Sequence, residues 1–155
     1  MAVMRSWWRR KLPEGQSYEE GNTSNKSNTG NASNAEMESG YKKLIVWQEA
    51  LRLVVLVYNL TKTFPKSEDY ALRDQMRRAV VSVLSQIAEG WLRRSKKDKL
   101  HYLEISQGSL MELETQAEVA KAVEYWDHVT FQKFDKQRAV VCYLLIRYIS
   151  KIRSS

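Results

Sequence analysis

Two histidines, one cysteine and eighteen acidic side chains are the groups in this 155-residue chain that could carry acid-base, nucleophilic or metal chemistry. His101-Tyr-Leu-Glu104 sets an imidazole and a carboxylate one helical turn apart. A di-iron bundle, however, draws a Glu-x-x-His pair from each of two helices. Here the order is reversed and the pair occurs once, so His101 and His128 read as surface or helix-end residues. Cys142 lies inside an apolar run with no histidine near it in sequence, and reads as a buried small hydrophobe rather than a nucleophile. A single cysteine also excludes an internal disulfide and a clustered-cysteine zinc site. There is no glycine-rich phosphate loop, metalloprotease helix or Gly-x-Ser-x-Gly elbow. The expectation is a non-enzymatic protein with no metal and no cofactor.

The residues that stand out are basic. Lys and Arg number 25 against 18 Asp and Glu, a net charge of +7. Residues 1–40 are balanced at five of each sign, so the whole excess, 20 against 13, belongs to residues 41–155. An excess of this size suits an anionic partner.

Composition changes near residue 41. Between Ser17 and Gly40 there are five Asn and five Ser and no Leu, Ile, Val, Phe or Trp. Such a stretch has nothing to bury in exchange for the entropy of ordering. Residues 1–40 are therefore read as a disordered Asn/Ser-rich tail, and 41–155 as one folded domain. Asn22, Asn25 and Asn31 match the glycosylation pattern but fit low-complexity sequence better. Trp7, Trp8, Arg9, Arg10 and Lys11 form either a short basic-aromatic docking peptide or an incidental extension. The leading MAVMRSWWRR has no apolar core of a secretory signal behind it. The longest apolar run, Leu53 to Tyr58, is far too short to span a bilayer. A cytoplasmic protein without membrane contact is expected.

From residue 41 onward apolar positions recur at helical spacing, which predicts an all-α domain of four helices. The first runs from Tyr41 to Phe64 and is stopped by Pro65. The second starts after Ser67, at Glu68 and Asp69, and ends at Glu89 with Gly90 as its stop. Ser95 with Asp98 resembles a capping box and opens a third helix reaching Tyr125. Asp127 caps a fourth, ending near Arg153. Matched lengths and short connections predict an antiparallel up-down-up-down four-helix bundle.

Helix one carries two apolar stripes, Leu44, Trp47, Leu51, Val54 and Tyr58 on one side and Val46, Ala50, Leu53, Val57, Leu60 and Phe64 on another. The surplus is either a broad core stripe or a subunit interface. Gly108, between Ser106 and Ser109 in mid-helix, costs about 1 kcal/mol relative to alanine. It reads either as a point of close helix approach opposite Ala79, Ser82 and Gln86 or as a tolerated imperfection.

The up-down topology gathers three basic places at one end. They are Lys42 and Lys43 at the start of helix one, Arg93, Arg94, Lys96, Lys97 and Lys99 at the second connection, and Arg147, Lys151 and Arg153 at the end of helix four. These ten make up half of the domain's 20 cations. Cations suit a helix C-terminus, but at the start of a helix they oppose the macrodipole, which points to an anionic partner, either RNA or DNA or an acidic protein. Trp91 beside them could stack on a base or plug the bundle end. Arg73, Arg77 and Arg78 on helix two are a secondary basic set.

Five segments in order carry a resemblance. They are Val46-Trp47-Gln48-Glu49-Ala50, Tyr58-Asn-Leu-Thr61 through Phe64-Pro65, Gln75-Met-Arg77-Arg78-Ala79-Val80, Ile87-Ala-Glu89-Gly90 with Arg93-Arg94-Ser95, and Gln107-Gly108-Ser109-Leu110 with Glu112-Leu113-Glu114. Together they resemble the four-helix bundle family of 23S ribosomal RNA intervening-sequence proteins, which includes relatives of the accessory variability protein of diversity-generating retroelements. The resemblance covers nearly all of 41–155 and none of the tail. It implies a barrel-like homopentamer with a basic surface and, in the retroelement branch, a partner of a reverse transcriptase that also contacts nucleic acid. Leu84 and Gln86 stand where the family usually has Pro and Asn, and Leu92 where it tends to have Gly. These departures bear on a kink in helix two and on the shape of the basic connection.

Overall fold

The computed structural model describes residues 40–155; the tail readings, Trp7 to Lys11 included, lie outside the described residues. The described residues form four α-helices and no strand. They are α1 (Ile45–Leu60), α2 (Leu72–Leu92), α3 (Lys96–Ala122) and α4 (His128–Ser154), with 3-10 turns at Gly40–Lys43, Thr61–Thr63 and Lys66–Glu68.

The α-helix of the first segment is shorter than its apolar periodicity suggests. It starts only at Ile45, after the 3-10 turn, and tightens again at Thr61, whose buried hydroxyl donates to the Val57 carbonyl at 2.8 Å. The second helix begins at Leu72 rather than after Ser67, because Glu68 sits in its own 3-10 turn. From there its carboxylate accepts the Leu72 N–H at 3.0 Å and satisfies one of the four orphan donors of the helix start. Gly90 is not a stop. The helix runs through it to Leu92, and the glycine is buried where a Cβ would lie 3.3 Å from the Cβ of Tyr102 and 3.4 Å from the Lys99 carbonyl oxygen. Its value is the absence of a side chain at a close approach of α2 and α3, not a left-handed turn. Ser95 and Asp127 cap α3 and α4 as expected, accepting the N–H of Asp98 at 3.1 Å and of Thr130 at 2.7 Å. After α3 the chain turns through Glu124, whose φ of 63° is left-handed.

The core is one cluster fed by all four helices, with Leu53 and Val57 of α1, Val80, Val83 and Ile87 of α2, Leu103 and Leu113 of α3, and Phe134, Val141 and Leu145 of α4 fully enclosed. Burying an aliphatic side chain of this kind contributes about 1.5–3 kcal/mol. The closest pairing is α2 with α3. The Ser82 and Ser109 hydroxyls meet at 2.9 Å and Ser106 donates to the Val83 carbonyl at 3.0 Å. Serines on α3, and not Gly108, thus make the close approach that the small-residue pattern suggests. Gly108 is exposed, and a Cβ there would meet nothing within 4 Å.

Of the two stripes on α1, Val46, Ala50, Leu53 and Val57 enter the core. On the other, Leu44, Trp47 and Val54 are half-buried while Leu51 and Tyr58 are exposed, together with neighbouring Val55 at 55 %. One end of the bundle is closed by aromatic rings. Phe64 packs on Tyr125 and Trp126 at centroid distances of 5.2 and 5.8 Å, and the Trp126 ring, 5.3 Å from Phe134, donates its N–H to the Leu60 carbonyl. No described helix is long and apolar enough to cross a membrane.

Candidate nucleic-acid interface

At the other end the three basic segments meet. The Lys96 ammonium, on the first residue of α3, donates to the Arg153 carbonyl at 2.9 Å, which ties the α2–α3 connection to the last turn of α4. Arg153 reaches across to Glu104 of α3 at 2.9 Å. The third segment comes in through Gly40, where a Cβ would stand 3.0 Å from the Trp91 indole. Trp91 is half-buried and occupies the corner, with the Gly40–Lys43 turn against it. That turn is held by Gln48, whose amide donates to the Lys42 carbonyl at 2.9 Å, and by Tyr41, packed edge-on to Trp47 at 5.2 Å.

Lys42, Lys43, Arg93, Arg94, Lys96, Lys97, Lys151 and Arg153 are exposed here, and Lys99 is half-buried. Arg147 is exposed too, but stands six residues before Arg153, about 9 Å back along α4. Arg93 is held in place, stacked over the Tyr102 ring at 4.3 Å and donating to its hydroxyl at 2.6 Å. Among the described residues Lys43, Arg94, Lys97 and Lys151 form no ion pair. The end also receives the N-terminus of α3, the positive pole of a 27-residue helix.

The secondary basic set is employed otherwise. Arg77 lies 4.8 Å over the Tyr58 ring and donates to the Thr61 hydroxyl at 3.1 Å. Arg73 bonds Asp69 and the Phe64 carbonyl, and Arg78 pairs with Asp74 at 2.5 Å. Arg73 and Arg77 brace the α1–α2 connection.

Among the described residues no three His, Cys, Asp or Glu side chains come together to hold a metal ion. His101 and His128 are exposed, His128 as the first residue of α4. Burial pushes the Cys142 thiol up to about 11, which keeps it protonated and weakly nucleophilic near neutral pH.

One polar cluster escapes a reading by sequence pattern. Arg138 is 2 % exposed, donating to Asp135 at 2.6 Å on its own helix and to Glu114 of α3 at 3.0 Å. Its signal was positional. Phe134, Arg138, Val141 and Leu145 follow helical spacing, so an arginine occupies a core position of α4.

The family model for the 23S rRNA-intervening sequence protein matches residues 42–147, which takes in α1, α2, α3 and most of α4. The chain belongs to that family. A crystal structure of a protein of unknown function from the S23 ribosomal protein family of Bacteroides thetaiotaomicron is similar in fold. Its TM-score is 0.61 at 20% identity, over 68% of this chain and 98% of that one. No curated protein matches the chain. Leu84 and Gln86 lie within a continuous α2, and Leu92 is its last helical residue.

Proposed function

We propose that this member of the 23S rRNA-intervening sequence family is a non-enzymatic, cytoplasmic nucleic-acid-binding protein. It grips RNA or DNA phosphates with its basic end and serves as an accessory to a reverse transcriptase. The observation that carries the reading is the meeting of Lys42 and Lys43, the Arg93–Lys99 connection, and Lys151 and Arg153 at one end, joined by the Lys96–Arg153 and Gly40–Trp91 contacts. Cations collected at the positive pole of α3 cost self-repulsion, and a phosphate chain relieves it.

The bundle is proposed to be antiparallel, up-down-up-down. Supporting contacts are Ser82 with Ser109 and Gly90 near Tyr102 between α2 and α3, Glu49 with Gln137 between α1 and α4, and Glu104 with Arg153 between α3 and α4. Its assembly into a barrel-like homopentamer is likewise a proposal, supported by the exposed second stripe of α1.

The test is the salt dependence of binding. Releasing condensed counterions gives a log-log slope of about 0.9 per duplex phosphate neutralised and about 0.7 per single-strand phosphate. Changing Arg93, Arg94, Lys96 and Lys97 to Gln should weaken RNA and DNA binding and flatten that slope while the fold persists. Equal binding by the variant, or no binding by the native chain at about 50 mM salt where such contacts are strongest, would replace this reading with a scaffold that meets an acidic protein.

A further inference from the structure

The outer face of α3 differs from the rest of the molecule. Between Leu100 and Ala120 it exposes three glutamates, Glu104, Glu112 and Glu118, and the segment has neither Lys nor Arg, in a protein whose net charge is +7. Large apolar side chains stand exposed on the same face, Ile105 at 38 %, Met111 at 52 % and Val119 at 45 %. They fall into two lines of seven-residue spacing, Glu104, Met111, Glu118 and Ile105, Glu112, Val119, with exposed Gly108 and Thr115 between them. Seven-residue spacing keeps a seam on one side of a helix, the arrangement that seats a second amphipathic segment. Glu104 is paired with Arg153 and Glu118 lies 3.9 Å from Lys121, but Glu112 is met only by the neutral amide of Gln116 among the described residues.

One segment of the chain has the complementary chemistry. Met4, Trp8 and Leu12 are four residues apart, Arg5 and Arg9 run beside them, Arg10 and Lys11 follow, and Pro13 ends the pattern. From Arg5 to Lys11 there are four cations and no acid. Four cations without an acid favour the exposed glutamates of α3 over the basic end. The segment can also reach. The chain from Trp8 to Gly40 spans at most about 110 Å when extended, at ~3.5 Å per residue. Gly40 lies beside Trp91 at the end where α3 begins, and Gly108 is only about 18 Å along α3 from Lys96.

We propose that the outer face of α3 is the docking site of the chain's own Met1–Leu12 segment, with Trp8 against Met111 and Gly108 and the arginines against Glu112 and Glu118. The full chain with Trp8→p-benzoylphenylalanine tests this by photo-cross-linking and peptide mapping. The cross-link should map within residues 104–119, centred on Met111, whether to the same chain or to a neighbouring copy. The charge reversal Glu112→Lys with Glu118→Lys should reduce the yield at least several-fold. Adding Arg9→Glu and Arg10→Glu should restore it. Both glutamates are exposed, so an unchanged helical circular dichroism spectrum verifies that each variant folds. Cross-links to the Leu51–Tyr58 face of α1 or to the basic end, a partner protein in their place, no cross-link at all, or a yield indifferent to the charge reversal would each overturn the proposal.

Discussion

Arg138 and Glu114 bridge α4 and α3 inside the bundle, guanidinium to carboxylate at 3.0 Å, with the arginine side chain 2 % and the glutamate 28 % exposed. Asp135 holds the other side of the same guanidinium. Breaking such a pair from one side strands charge in a poor solvent, and costs about 3–5 kcal/mol. Arg138→Ala should therefore lower the denaturation midpoint sharply. Replacing the arginine by Met together with Asp135→Leu and Glu114→Leu should recover most of the loss, because an apolar cluster of similar volume needs no partner. Urea titration of the single and triple variants compares the two.

Gly108 and Gly90, both helical, should respond in opposite directions. At Gly108 a methyl meets nothing within 4 Å, so Gly108→Ala should gain about 1 kcal/mol and raise Tm by several degrees. At Gly90 even a Cβ presses on Tyr102 and the Lys99 carbonyl, so Gly90→Val should cost about 1–3 kcal/mol through overpacking. Thermal unfolding followed at 222 nm reads both.

Asp127 gives the acid limb a defined contribution. Hydrogen bonds from Thr130 hold its carboxyl below the usual carboxylate range. A folded-state pKa lowered in this way adds stability that is complete above the unfolded value of about 3.9 and is lost as pH falls through the folded value. Asp127→Asn keeps a cap but cannot titrate, so its Tm should fall less than the native protein's between pH 5 and pH 2. Asp127→Ala should lower Tm at neutral pH. A series of melts across that range tests the sign.

Leu51, Val55 and Tyr58 line one exposed side of α1, and their burial between copies should show in mass. Light scattering should give a multiple of the 18.1 kDa chain, about 90 kDa for the closed ring of five. Leu51→Glu with Val55→Glu should return the protein to the mass of one chain with its helicity intact. A monodisperse native monomer at micromolar concentration would count against the assembly.

Features set by neighbours in sequence were legible there. Ser95 and Asp127 cap helices because a short side-chain oxygen needs only an N–H three residues on, as the Asp98 and Thr130 contacts show. The four apolar repeats gave the helices, and chain order brought the cations of three segments into one list. What depends on a distant partner is not legible there. Gly90 reads as a stop until Tyr102 and Leu103 are seen against it, and of the two readings of Gly108 the close approach falls away because that contact belongs to Ser106 and Ser109. Arg77 stands in the secondary basic set by sequence, and its contacts with Thr61 and the Tyr58 ring, 16 and 19 residues upstream, are seen only in the fold. Arg138 needed a carboxylate 24 residues away.

The packing of Gly40 on Trp91 fixes where the upstream polypeptide leaves the bundle, which is at the Lys42–Lys43 corner beside the α2–α3 connection. Rotational symmetry repeats any such exit point at one height around an axis, so in a cyclic assembly all leading segments emerge on a single rim. A fusion partner or affinity tag placed upstream of residue 40 would form a collar on that rim, over the cations, whereas one joined elsewhere would leave it open.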